Sequence, residues 1–370
     1  MAQRSLEQRL TRVRQLLVDE SLDALVSFGP SDCRYLTAFT GDAVGVVLTA
    51  DESVLISDAR FTIQAAEESP EARFALAGDG RDELIVEVLA DMAREREDGT
   101  VVAGFDPDHV TVRRWERLRQ LLENTGSIRS ELAGGLVERC RRVKFQDELE
   151  AMRTAGRLVV EAFAYLETIP VVGRSERDVS LDLEVFLRRK GSEGVAFPFI
   201  VAAGARGAMP HADASAAIIE PGQLLVLDIG AVVDGYASDI TRTYATGSVS
   251  PHLVQAYEVV REAQALAVAA VRNGIACREL DRIARDRLEA AGLGDRFVHS
   301  LGHGVGLEVH EGPGLSSRSD DTLETGMVVT VEPGVYFAGE AGVRIEDTVV
   351  VEAEGSEIIT EWPRDLRFLR

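Results

Sequence analysis

Apolar residues at Leu6, Leu10, Val13 and Leu17 recur at helical spacing, and four short apolar runs of strand length follow: ALVSF, VGVVLTA, SVLIS and VVAGF. This alternation over the first ~135 residues predicts an α/β domain. Between Glu131 and Lys144, LAGGL gives way to the basic stretch ERCRRVK, and the boundary expected there divides the chain into residues 1–138 and 139–370. Beyond it, Leu149, Met152, Val159, Val160, Phe163 and Leu166 suit one face of a long helix from Asp147. Ser175 is a good N-cap for a second helix running through Arg189. Strand patterns in VLDIGAVV and ITRTY come next, then helices from near Pro251 and Cys277, a glycine-rich segment, and strand patterns in MVVTVEPGVYF and GVRIEDTVVV. The order of helices, hairpin, helices, hairpin points to two similar halves facing each other, without the identity that would mark a repeat.

A length of 370 residues fits two domains, and 45% hydrophobic with 28% charged residues is a globular balance. No apolar run approaches the ~18 residues of a membrane span, and the polar start MAQRSLEQRL does not read as an export signal. The net charge of −22 disfavours nucleic acid and anionic membranes as partners. Cys33, Cys140 and Cys277 lie far apart with no CxxC spacing, which argues against a disulfide scaffold and a thiolate zinc site and fits a reducing cytoplasm. The acidic excess serves solubility, or it marks carboxylates gathered around bound cations.

The segment LDIGAVVDGYASDITRTY favours the cations. Asp234-Gly235 suits a type I′ hairpin loop, which sets Val233 against Tyr236 and, by counting back, Gly230 against Asp239. Asp228 and Asp239 then emerge on one face as diagonal neighbours, ~7 to 8 Å apart at the backbone, a gap that two leaning carboxylates close onto cations. In the second hairpin, a loop centred on Gly339 sets Glu332 directly across from Glu346, with Arg344 on their face. Four acids on two apolar hairpins are costly without positive charge among them. His299, His303 and His310 lie in HSLGHGVGLEVHEGP, and His211 stands in AMPHAD, whereas His109 and His252 read as ordinary polar positions. A single histidine in a loop is usually a surface residue; it is the coincidence with two acid hairpins that gives these their meaning. Carboxylates with one imidazole favour Mn²⁺, with Co²⁺, Zn²⁺ or Fe²⁺ as substitutes, and such a pair of divalent ions supports hydrolysis.

These residues carry a family likeness. In MPHA, LLVLDIGAVVDGYASDITRTY, HSLGHGVGLEVHE, TVEPGVY and GVRIEDT the chain resembles the pita-bread metallopeptidases, within them the Xaa-Pro aminopeptidases and Xaa-Pro dipeptidases. The resemblance implies a creatinase-type α/β N-terminal domain ahead of an α+β pita-bread catalytic domain. It implies that Asp228, Asp239, His303, Glu332 and Glu346 hold two metal ions, with Asp239 and Glu346 bridging them and Glu332 also acting as general base. His211 and His310 would bind the scissile carbonyl region and stabilise the oxyanion, His299 would line the proline pocket, and Arg344 and Tyr336 would back them on the substrate side. A homodimer is implied as well.

The leading reading is an enzyme that releases the first residue from peptides with proline second; a dipeptidase restricted to Xaa-Pro is the alternative. Methionine aminopeptidases resemble the C-terminal domain alone, creatinase-like amidinohydrolases lack the five-ligand set, and a binding module on this fold would show broken ligand motifs. The aminopeptidase is preferred because residues 36 to 65, SDARFTIQA above all, look more like its N-terminal domain, although Arg34 or Arg60 could clamp a substrate carboxylate.

Overall fold

The computed structural model describes residues 2–42, 45–78 and 80–370. Val44, the first residue of the VGVVLTA run, lies outside them. The described chain divides into two compact units on either side of Arg141 and Arg142, and the helix Leu136–Arg141 runs through the expected 138/139 position.

In the first unit, β1 (Ala24–Ser27), β2 (Gly45–Thr49), β3 (Ser53–Ser57), β4 (Arg73–Leu76), β5 (Val101–Phe105) and β6 (Ile128–Leu132) form a mixed sheet in the order β4-β3-β2-β1-β5-β6. Parallel pairs at its flanks and antiparallel pairs at its centre fit the interleaved helices α1 (Ala2–Asp19), α2 (Pro30–Thr37), α3 (Thr62–Glu68), α4 (Arg81–Glu95), α5 (Val112–Thr125) and α6 (Leu136–Arg141). The helical stripe holds: Leu10, Val13 and Leu17 are buried.

The second unit has two sheets, each backed by a helix pair. The helices α7 (Gln146–Leu166) and α8 (Glu176–Arg189) cover β7 (Ile200–Ala203), β8 (Leu224–Ile229) and β11 (Ile240–Ala245), with the short ribbon β9 (Val232–Val233) and β10 (Tyr236–Ala237) at the hairpin tip. Ser175 caps α8 by accepting from the Asp178 amide. In the other half, α9 (Pro251–Ala270) and α10 (Cys277–Ala290) back β12 (Gly302–Gly304), β13 (Glu311–Leu315), β14 (Val328–Val331), β17 (Asp347–Glu352) and β18 (Gly355–Ile358), with β15 (Gly334–Phe337) and β16 (Ala341–Arg344) as the second ribbon. Side chains alternate across each strand, so Leu225, Leu227 and Ile229 pack into one helical core and Val329 and Val331 into the other. Asp228 and Thr330 therefore face away from the helices, where the two halves meet. The long strand patterns are broken at Gly230-Ala231, at Glu332-Pro333 and at Ile345-Glu346, and each break borders the acidic cluster.

The seam of the first sheet is closed from far along the chain. Arg242 is buried and donates to Asp347 Oδ1 at 2.7 Å, to the Trp362 carbonyl at 2.6 Å and to the Pro363 carbonyl at 3.0 Å. Residues 367 to 369 run parallel to the end of β11, where Leu369 N donates to the Ala245 carbonyl.

Candidate metal centre

The first hairpin turns as expected: Asp234 and Gly235 both have positive φ, 48° and 74°, and Val233 pairs with Tyr236. Beyond the break the same count continues, pairing Ile229 with Ile240 and Asp228 with Thr241. In the second hairpin Gly334 pairs with Arg344 and Val331 with Asp347, so Glu332 and Glu346 stand across from each other.

Asp228, Asp239, His303, Glu332 and Arg344 line one cavity of about 420 Å³, together with His211, His299 and His310. Asp239, His303 and Glu346 each bring a ligand-capable atom within 4.8 Å of the others, a cluster that could hold an ion. Asp228, Asp239 and Glu346 are buried; Glu332 keeps 17% of its side chain exposed. Tyr336 is one layer back: its hydroxyl lies 2.9 Å from His299 Nε2 and accepts from Arg344 Nη1 at 3.0 Å. His211 and His310 are exposed at the rim, and the His310 ring stands 4.3 Å from that of His303.

The donor set fits a cation on two counts. Asp228 offers Oδ2 to Arg344 Nη2 at 2.7 Å, and Glu346 offers Oε2 to the Thr241 hydroxyl at 2.6 Å, yet Asp228 Oδ1, Asp239 Oδ1 and Glu346 Oε1 are buried with no hydrogen-bond partner. Buried orphan oxygens are uncommon, and three in one cluster call for positive charge. His303 Nδ1 lies 3.0 Å from the Gly304 carbonyl, a contact that assigns the proton to Nδ1 and leaves the Nε2 lone pair 3.3 Å from Glu332 and 3.7 Å from Asp239. A lone pair facing carboxylates is repulsive unless a cation lies between them.

The electrostatics agree. Burial, then the Glu346 and Asp228 charges, holds Asp239 well above the ordinary carboxylate range. Glu346 is raised likewise, by burial and then Glu332. Burial pushes Glu332 up to about 7. Burial lowers His303 and takes His299 down to about 4, and at the rim partial shielding, then the neighbouring His303 and His211, lowers His310. The fold thus concentrates acid in a place that makes its ionisation expensive.

Several participants gave no separate signal in the sequence. Thr241 ties Glu346 to Arg344, whose Nε donates to its hydroxyl at 3.1 Å; it is found by asking what stands opposite Asp228. Thr330 donates to Glu332 and accepts from the His303 amide. The cavity wall of Phe197, Pro198, Ile200 and Val309 reads in sequence like any apolar run. Lys144 and Glu311, 2.7 Å apart and both buried, fasten the strand that follows His310. His109 needs a correction: it is no ordinary polar position, because its Nδ1 meets Asp106 at 2.8 Å beside Asp32 and Glu138. Arg141, Ser27 and the Asp108 amide already bond to Asp32 and Asp106, so that group is internally satisfied.

Comparison with known proteins gives the same two-part division. Residues 9–143 match the Creatinase/Prolidase N-terminal domain and residues 150–353 match metallopeptidase family M24. The chain is similar to a structure described as Xaa-Pro dipeptidase from Bacillus anthracis, with 36% identity and a TM-score of 0.91 over 98% of this chain and 100% of that one. An X-Pro aminopeptidase structure from Thermotoga maritima gives 32% identity and a TM-score of 0.86 over 97% and 100%. In sequence, the Xaa-Pro dipeptidase of Pyrococcus furiosus is 33% identical over 98% of this chain and all of that protein. With both halves matched in order and the acid and histidine motifs brought into one cavity, the chain belongs to metallopeptidase family M24 and carries the pita-bread catalytic domain behind a creatinase-type N-terminal domain.

Proposed function

We propose that the protein is a two-metal hydrolase that releases the N-terminal residue from peptides with proline second. The observation that carries this reading is the set of three buried, unpartnered carboxylate oxygens on Asp228, Asp239 and Glu346, in the same cluster as a His303 Nε2 that lies 3.7 Å from Asp239 Oδ2. Asp228, Asp239, His303, Glu332 and Glu346 would hold the ions, Mn²⁺ first among them because oxygen donors outnumber nitrogen. When bound, such a pair supplies a water acidic enough to attack at neutral pH and charge that polarises the scissile carbonyl. Glu332, held near neutrality by burial, takes a proton from the attacking water and passes it toward the proline nitrogen. His211 and His310 stand at the rim to bind the carbonyl oxygen as its charge grows, and His299, turned by Tyr336 and the Ser300 carbonyl, walls the proline side. We further place the enzyme in the cytoplasm as a homodimer; the buried free thiols of Cys33, Cys140 and Cys277 suit a reducing compartment.

His310→Ala should lower kcat by ~10² to 10³ while leaving metal content intact, since its task is charge stabilisation. Metal analysis beside the kinetics checks this, and loss of an ion in this variant but not in His303→Ala would exchange the two roles.

Substrate length turns on cations. Among the described residues lining the cavity there is one guanidinium, Arg344, and its nitrogens are engaged by Asp228, Tyr336, Thr241 and the Pro210 carbonyl. Arg60 pairs with Asp58 within its own unit. A wall without a spare cation favours longer peptides over a clamped dipeptide carboxylate. The dipeptidase reading is favoured by the names of the Bacillus anthracis and Pyrococcus furiosus relatives. Assay of the metal-loaded enzyme on matched Xaa-Pro and Xaa-Pro-Xaa peptides decides. We expect the tripeptide to have a kcat/KM at least equal to the dipeptide's, and dipeptide turnover without tripeptide cleavage would establish the second reading.

A further inference from the structure

His211 is exposed, and among the described residues no hydrogen bond reaches its ring. Its place at the rim is therefore set by the backbone that carries it. That backbone leaves β7 at Ala203, makes a short 3-10 turn over Gly204–Ala208, passes Pro210 and His211, and returns at Ser215. One side chain holds both ends of this loop. Glu176, the first residue of α8, has no exposed surface. Its Oε1 accepts from the Ala203 amide at 2.9 Å. Its Oε2 accepts from Arg206 Nε at 2.8 Å and from the Ser215 amide and hydroxyl at 3.0 and 2.7 Å. Arg206, so held, reaches on to the Asp213 carbonyl at 2.6 Å. From the other side Arg344 donates to the Pro210 carbonyl at 3.1 Å. The fit is tight: a Cβ on Gly342 would lie 1.9 Å from the Gly207 carbonyl oxygen.

We propose that Glu176 is a positioning residue, its buried carboxylate gathering Ala203, Arg206 and Ser215 so that the loop presents His211 to the metal-site cavity; this rests on the function proposed above. A buried carboxylate is costly unless fully bonded, and four donors, one of them charged, make this one a rigid node. A neutral amide could not replace it. It would keep one acceptor oxygen but turn an NH₂ group against a donor in either orientation, toward the Ala203 amide or toward Arg206 and Ser215, and it would leave the Arg206 guanidinium without its counter-charge.

The test is a double-mutant cycle of Glu176→Gln with His211→Ala in the metal-loaded full chain, read as kcat/KM on an Xaa-Pro-Xaa peptide, with bound metal and amide hydrogen exchange measured alongside. We expect Glu176→Gln to lose about tenfold or more in kcat/KM with unchanged metal content, to lose little further in the His211→Ala background, and to exchange faster over residues 203–215. Equal losses in both backgrounds, or unchanged exchange in that loop, would overturn the proposal. If the unmutated enzyme cleaves no Xaa-Pro peptide, the functional reading fails, and the exchange data alone judge the clamp. Should Glu176→Gln fail to fold, Ser215→Ala and Arg206→Gln each remove one of the donors and carry the same comparison.

Discussion

Asp239→Ala should abolish Xaa-Pro hydrolysis, by about 10³-fold or more, and strip the protein of bound metal. Asp239 sits among Asp228, Glu332, Glu346 and His303 and carries a buried oxygen with no hydrogen-bond partner. The same substitution should raise the stability of the metal-free protein, because it removes a buried acid that three others repel. Opposite signs for function and stability in one variant are a stronger signature than inactivity alone. Metal analysis, peptide assay and thermal melts with chelator make the comparison. Full activity with two ions retained would refute the assignment of Asp239.

Metal removal should destabilise the protein, and increasingly so toward high pH. Asp239 and Glu346 are held well above the ordinary range and Glu332 near 7, burial being the largest cause for each. A carboxyl raised on folding gives its full contribution below its unfolded value, about 4. That contribution is lost as pH climbs to the folded value, at about 1.4 kcal/mol per unit of displacement, so the metal-free fold weakens between roughly pH 4 and pH 7. Metal binding runs the other way, since it needs ionised carboxylates and a neutral imidazole, and burial shifts His303 toward its neutral form. The gap in Tm between loaded and chelated protein should therefore widen by several degrees from pH 5 to pH 8. A gap that narrows over that range would mean that these acids are not the ligands.

Much of this site was legible in the chain because it is written in strand periodicity. Once Asp234-Gly235 is taken as the loop, Asp228 and Asp239 have no freedom in where they emerge, and the same arithmetic across Gly339 pairs Glu332 with Glu346. The alternating pattern did not show where the strands stop. Glu332-Pro333 lies inside the strand pattern MVVTVEPGVYF but leaves the ladder, because proline cannot donate to it. Glu176 was illegible for a different reason. An acid after a serine N-cap reads as routine helix chemistry, and its four donors, on three residues, lie 27 to 39 positions away in a loop with no period. The cavity wall from Phe197 to Ile200 was equally silent, since an apolar residue facing a substrate looks like one facing a core.

The long-range seam around Arg242 has a consequence for the order in which the chain is made. Asp239 receives the Thr348 hydroxyl on its carbonyl 109 residues later, and Arg242 finds the Trp362 carbonyl 120 residues later. At roughly 5 to 20 residues per second, a ribosome takes about 6 to 24 s to cover the longer of those gaps. For that interval the Asp228–Asp239 hairpin is half a site, with its outer strand β11 at the edge of a three-stranded sheet. Inward-pointing charges are one of the means by which an open edge avoids pairing with a stranger. Asp239, directly ahead of β11, and Asp228, on the neighbouring β8, put negative charge beside that open edge before the second hairpin arrives.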